Sequence, residues 1–201
     1  MSAPTASASA KVVTSVSPAP ETSATATVTR AELAAALHRE EVLAIDSKVM
    51  ELEPALARIA AWRARGHQVG FTNGCFDILH YGHLHYLAEA RDLGERLVIG
   101  LNSGASVRRL KGPTRPINDE LTRTHLLAAL QVVDAVVIFD QDTPLELIRL
   151  VRPDILVKGG DWRPEQIIGS DIVLAQGGKV LSLPFIQGYS TTNIEQKIKN
   201  G

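Results

Sequence analysis

Beyond Gly66 the chain alternates short apolar runs with longer stretches in which apolar positions recur every three or four residues. The runs "QVGFT", "RLVIGLN", "AVVIF", "DILVKG" and "KVLSLPF" are almost continuously apolar between polar or glycine boundaries, which predicts strands buried on both faces. Between them, "HLHYLAEARDLG", "LTRTHLLAALQVV", "TPLELIRLV" and a segment around Pro164 to Gln176 carry helical periodicity, and "TTNIEQKIK" predicts a last helix. Gly94 is placed to close the first helix, and Thr143 to cap "TPLELIRLV" with Pro144 at its first position. Strands in alternation with helices imply right-handed crossovers and a mostly parallel sheet. Ligands of such sheets bind beyond the carboxyl ends of the strands, so the loops after each strand hold the candidate chemistry.

Upstream the pattern changes. "RAELAAALHREEVLAI" and "SKVMELEPALARIAAWRARG" are rich in Ala, Leu and Glu and predict a helical arm over 30–65, opened or broken at Pro54 and ended by Gly66. Packing on the domain or on a second subunit are both open to it. Residues 1–29 are dominated by Ser, Thr, Ala and Pro with almost no large apolar residue. They cannot bury enough surface to offset the entropy of ordering, which predicts disorder; a transit peptide is disfavoured by the near absence of arginine. The expected fold class is α/β: a Rossmann-like parallel sheet with helices on both faces over 66–201, preceded by that arm and that tail.

Composition narrows the function. With 201 residues, 45% of them hydrophobic and 21% charged, the chain has a soluble, globular make-up. A net charge of -1 supplies no general basic field, so neither nucleic acid nor an anionic membrane is an expected partner, and phosphate binding must be local. A single cysteine, Cys75, suits a reducing compartment, and neither a signal segment nor a bilayer-length apolar run occurs; the expected location is the cytoplasm.

Four strand-following loops stand out. In "NGCFDILHYGH", His80, Gly82 and His83 lie where a helix begins, a place that offers unpaired backbone N–H groups and the positive end of the helix dipole to an anion. Gly82 leaves room for close approach to the backbone. The loop contains neither the dinucleotide glycine fingerprint nor a phosphate-loop lysine motif, and Cys75, His80 and His83 lack the spacing of a structural zinc site. "SGASVRRLKGPTRPIN" gathers Arg108, Arg109, Lys111 and Arg115 into a candidate polyphosphate clamp, toward which Arg123 is also able to point. "VKGGDW" pairs two glycines with Trp162, a candidate cover for a flat base, and "QGYSTTNI" places Ser190, Thr191 and Thr192 at a helix start, where hydroxyls serve as caps or phosphate donors.

These blocks together resemble the HxGH nucleotidyltransferases, and within them the family of heptose 1-phosphate adenylyltransferases: "FTNGCFDILHYGHLHYLAEARDLG", "NSGASVRRLKGPTRPIN", "DTPLELIRLVRPDILVKGGDW" and "GYSTTNI" occur in order between about Ala57 and Lys199. The resemblance implies transfer of AMP from ATP to D-glycero-β-D-manno-heptose 1-phosphate, giving ADP-heptose for lipopolysaccharide inner-core synthesis, with Mg²⁺ accompanying ATP. It implies catalytic roles for His80, His83 and Lys111. Asn73, Gly74, Cys75, Phe76, Asp77, Gly82, Lys158, Gly159, Asp161, Ser190, Thr191 and Thr192 would line the nucleotide site, and Asn102, Arg115 and Arg123 the substrate side. It names no metal ligand. The helical arm outside the core makes a homodimer the expected assembly, and the resemblance implies a separate heptose kinase, since a sugar kinase domain fused to this domain in many relatives is missing from this sequence. Trp162 stands where the family leads one to expect tyrosine. The rival readings are a cytidylyltransferase acting on glycerol 3-phosphate or a similar phosphate, and a nucleotide-binding module without catalysis. A tRNA synthetase is disfavoured by the short chain and the absent basic surface.

Overall fold

The computed structural model describes Thr29, Arg30 and residues 44–201; the predicted tail and most of the first half of the arm lie outside the described residues. Five strands, β1 (Val69–Gly74), β2 (Arg96–Asn102), β3 (Ala135–Phe139), β4 (Ile155–Gly159) and β5 (Lys179–Leu183), form one parallel sheet in the order β3-β2-β1-β4-β5. Val69 pairs with Arg96 and Gly74 with Leu101, while on its other side β1 meets β4 at Gly70↔Ile155 and Phe71↔Leu156. The chain therefore builds outward from β1 to β3, then returns to the far side of β1. That reversal opens a crevice between the carboxyl ends of β1 and β4.

Each strand carries alternate side chains to opposite faces. Leu97, Ile99 and Leu101 of β2 pack with Tyr86, Leu87 and Ala90 of α2 (Tyr81–Asp92) and Leu127 of α4 (Glu120–Ala128). On the other face Phe71, Val98 and Leu156 meet α1 (Leu52–Arg63), α5 (Leu145–Val151) and α6 (Ser170–Ala175). Two further helices, α3 (Gly104–Lys111) and α7 (Thr191–Asn200), stand over the carboxyl end of the sheet with the loops that follow β2 and β5.

The described part of the arm packs on its own domain. Pro54 lies in the first turn of α1, and Ala55, Ile59 and Trp62 are buried in the core. Gly66 turns the chain at a φ of +82, returning the His67 N–H to the Trp62 carbonyl. Upstream of α1, Met50 donates to the Val136 carbonyl and Val136 to that of Lys48, so residues 48–50 cover the outer edge of β3.

Two expectations need correction. The helix expected over "LTRTHLLAALQVV" ends at Ala128, because a turn through Leu130 buries Val133 completely. Thr143 does not cap α5: Pro144 holds the cap position and its carbonyl accepts from Ile148, with no side-chain bond.

Candidate active site

At the end of β1 the chain turns sharply. Gly74 has no side chain, and a Cβ there would meet the Phe76 ring at 3.1 Å; Phe76 itself takes a φ of 44, in the left-handed region. The buried Phe76 ring packs on His83 at a centroid distance of 5.3 Å. His80 is the extended residue before α2, and its carbonyl accepts from His83 and Leu84. This geometry stacks the two imidazoles at 3.8 Å and 25°. Gly82 fits beneath them, since a Cβ would crowd both the His80 ring and the Tyr189 side chain at 3.2 Å.

The Nδ1 atoms of both histidines are buried without a hydrogen-bond partner. Burial, then the neighbouring His80 and Lys111, push the His83 imidazole down to about 4, against the Ile78 carbonyl. Burial lowers His80 as well. The pair is thus uncharged at neutral pH, two rings offering hydrogen bonds rather than cations. Burial raises the Cys75 thiol despite Lys111, Arg123 and Lys158, so it stays protonated; burial also lowers Lys158.

Three adjoining recesses open here. One of about 310 Å³ runs from Asn73 and Gly74 past Cys75 to Lys158, Gly159 and Trp162. A second, of about 450 Å³, is lined by His80, Gly82, Gly188 and the start of α7. The two share His83, Tyr86, Lys111, Phe185 and Thr191. A third, of about 200 Å³, shares Asn73, Lys158 and Trp162 with the first and reaches Pro144 and Gln166. At the second recess the N-termini of α2 and α7 converge. Ser190 caps α7 by accepting from Asn193 at 3.1 Å, leaving the N–H groups of Thr191 and Thr192 at the first turn. The floor is fixed by Tyr86, whose hydroxyl is hydrogen-bonded to Thr72 Oγ1 and donates to the Val157 carbonyl at 3.2 Å.

Most of the candidate residues therefore meet: Asn73, Gly74, Cys75, Phe76, Asp77, His80, Gly82, His83, Lys111, Lys158, Gly159, Ser190, Thr191 and Thr192 line the first two recesses. Asp161, Asn102, Arg115 and Arg123 line none of the three. The Asp77 carboxylate is held from below, by Arg115 Nη1 at 2.6 Å and the N–H groups of Ile117 and Asn118 at 2.7 and 3.0 Å. Arg115 also pairs with Glu195 of α7. Arg123 is fully buried and donates from Nη1 to the carbonyls of Cys75 and Asn102, tying the ends of β1 and β2 together. The candidate clamp is likewise divided: Lys111 faces the recesses, whereas Arg109 turns away to Asp140 and Asp142. Sequence reasoning missed Tyr86, Phe185 and Tyr189. Tyr86 follows His83 by three positions and so shares its helix face, a signal that was available.

A scan of family models matches residues 71–197, from the middle of β1 into α7, to the description "Cytidylyltransferase-like". The chain belongs to the cytidylyltransferase-like family. Every recess residue from Asn73 to Asn193 falls inside that match. Among curated proteins, this cytidylyltransferase-like chain is 55% identical over 177 residues to the Bifunctional protein HldE of Trichlorobacter lovleyi, covering 87% of this chain and 35% of that protein. It is 54% identical over 167 residues to the Bifunctional protein HldE of a Caulobacter species, covering 83% and 34%. The chain thus spans about a third of the length of these relatives. Among solved structures, the lipopolysaccharide core biosynthesis protein of Thermoplasma volcanium matches with a TM-score of 0.50 at 29% identity, over 62% of this chain and all of that one.

Proposed function

We propose that this chain transfers AMP from ATP to D-glycero-β-D-manno-heptose 1-phosphate, releasing pyrophosphate and forming ADP-heptose. The observation that carries the reading is the stacked, uncharged His80–His83 pair facing Lys111 and the start of α7 across one hollow. A triphosphate laid there meets two helix N-termini, two imidazoles and an ammonium group. An oxygen of the acceptor phosphate attacks the α-phosphorus and forms the new P–O bond. The bond from the α-phosphorus to the bridging oxygen breaks, and pyrophosphate leaves with that electron pair. The attacking oxygen is already anionic at neutral pH, so the step needs no general base; positioning and hydrogen-bond donors at the growing charge supply the catalysis.

His80, His83 and Lys111 are the residues assigned to that charge, and Thr191 and Thr192 to the departing phosphates. Among the described residues no group of three or more His, Cys, Asp or Glu is placed to hold a metal ion. A magnesium ion accompanying ATP would be carried mainly by the phosphates, neutralising their charge. Heptose as the acceptor is supported by the ordered motif blocks and by the identity to HldE proteins. Among the described residues no helix is long and apolar enough to cross a membrane, and the proposed site of action is the cytoplasm, downstream of a heptose kinase activity.

The deciding experiment is pyrophosphate release by the purified protein with magnesium, offering ATP or CTP with and without β-heptose 1-phosphate. Release that requires ATP and the sugar phosphate together is expected. Release with CTP instead would keep the mechanism and overturn the base, the outcome that the family's name makes worth including.

A further inference from the structure

The third recess has no part in the chemistry above, yet it adjoins the reacting centre. It opens toward the face of the sheet that carries α5 and α6, through Pro144 at the start of α5 and the buried Ile167. The histidine pair stands at the start of α2, on the opposite face. Asn73 and Lys158, at the ends of β1 and β4, lie between the two. An acceptor entering by this recess would approach from across the crevice, away from the N-terminus of α7 where the pyrophosphate departs. In-line displacement requires that arrangement.

The walls of the recess match a sugar ring. Pro144, Ile167 and Ile168 are apolar, and Trp162 forms one side. The indole is fixed before any ligand arrives: its Nε1–H donates to the Gly159 carbonyl at 3.2 Å, and the Trp162 backbone N–H to Ser182 Oγ at 3.1 Å. Gly160 makes room for it: it takes a φ of +120, and a Cβ there would fall 2.9 Å from that nitrogen. Against this apolar shell stand three polar side chains, Asn73, Lys158 and Gln166, none of which has a side-chain partner among the described residues. A small apolar volume with a few placed donors and acceptors suits a ligand with C–H faces and hydroxyl edges.

We propose that this recess seats the sugar ring of the acceptor, a pyranose 1-phosphate, with the Trp162 indole against its C–H face, Asn73 and Gln166 on its hydroxyls and Lys158 at its phosphate. The inference rests on the adenylyl-transfer reading and adds where the acceptor sits and which residues select it. Gln166 and Ile168 are exposed, so Gln166→Ala and Ile168→Trp leave the core intact, the first removing a hydrogen-bonding group and the second filling the hollow. In steady-state pyrophosphate release, each variant should raise the KM for β-heptose 1-phosphate about tenfold while the KM for ATP stays within about twofold. Variants that raise the KM for ATP instead, or leave the sugar KM unchanged in an active enzyme, overturn the placement and leave the reaction standing. Calorimetric titration of the same sugar phosphate reads the recess without turnover. Binding by the wild type that weakens about tenfold in Ile168→Trp supports the placement even where no pyrophosphate is released. Equal affinity in both proteins, or no binding by the wild type, overturns it.

Discussion

Two sets of polar side chains sit within the same crevice and are treated in opposite ways by the fold. Around the recesses, His80 and His83 bury Nδ1 atoms that nothing satisfies, and Asn73 and Lys158 face open volume. Beneath the loop that follows β1, Asp77 is matched by Arg115, Ile117 and Asn118, and Arg115 again by Glu195. A buried polar atom without a partner costs about 1–3 kcal/mol, so a fold keeps such atoms where a ligand will supply the partner. The matched set has the complementary task of holding the unmatched one in place. Arg123 belongs to both, with Nη1 bonded to two carbonyls while Nε and Nη2 are unsatisfied.

The sharpest way to break this division is at the unmatched set. His83→Ala should lower kcat for pyrophosphate release by about 10²–10³-fold, in the range of losing one preorganised donor to transition-state charge. The affinity for ATP, measured by calorimetry, should change by no more than about threefold, because a neutral ring contributes little to the ground state. Equal losses in both would remove the transition-state role. Asp77→Ala tests the matched set. It strips a 2% exposed carboxylate from Arg115 and two backbone N–H groups, which should cost about 3 kcal/mol of stability in urea unfolding. A variant as stable as the wild type would mean that Asp77 is no part of the frame. Arg123→Met should cost less, about 1–2 kcal/mol by the same measurement. It frees the carbonyls of Cys75 and Asn102 but fills the volume and removes two unsatisfied nitrogens.

The same division decides what was legible in the sequence. Residues 96–102 and 135–139 form strands with the bounds their apolar runs predict, because the first is covered on both faces and the second is buried at all but Ile138. The histidines and the α7 start were legible too, since a helix N-terminus after a strand is a local feature. Charge in a loop carries no such direction. Arg109 and Lys111 lie two residues apart in one basic run, and only three-dimensional packing sends one to Asp142 and the other to the recess. Arg123 did carry a signal: it stands four residues before Leu127 on α4, and both side chains are fully buried on the same helix face. The third recess had none, because it is assembled from the ends of three strand-following connections.

The smallest effect expected is a pH dependence of folding that arises from the unmatched set. His83 titrates at about 4 in the folded protein and at its ordinary value of 6.5 once unfolded. Between these values the unfolded chain binds a proton that the folded one refuses, so stability rises with pH across that window and falls as the solution is acidified. Allowing for partial exposure of the ring, its share between pH 7 and pH 5 should be about 1 kcal/mol. Urea unfolding at the two pH values, in wild type and His83→Gln, isolates that share as the difference between their slopes. A neutral side chain in place of His83 should flatten the dependence by that amount. An unchanged slope would mean that the ring takes up a proton as readily folded as unfolded. Below about pH 6.5 His83 would then meet the triphosphate as a cation, and there ATP binding rather than turnover would suffer most from its loss.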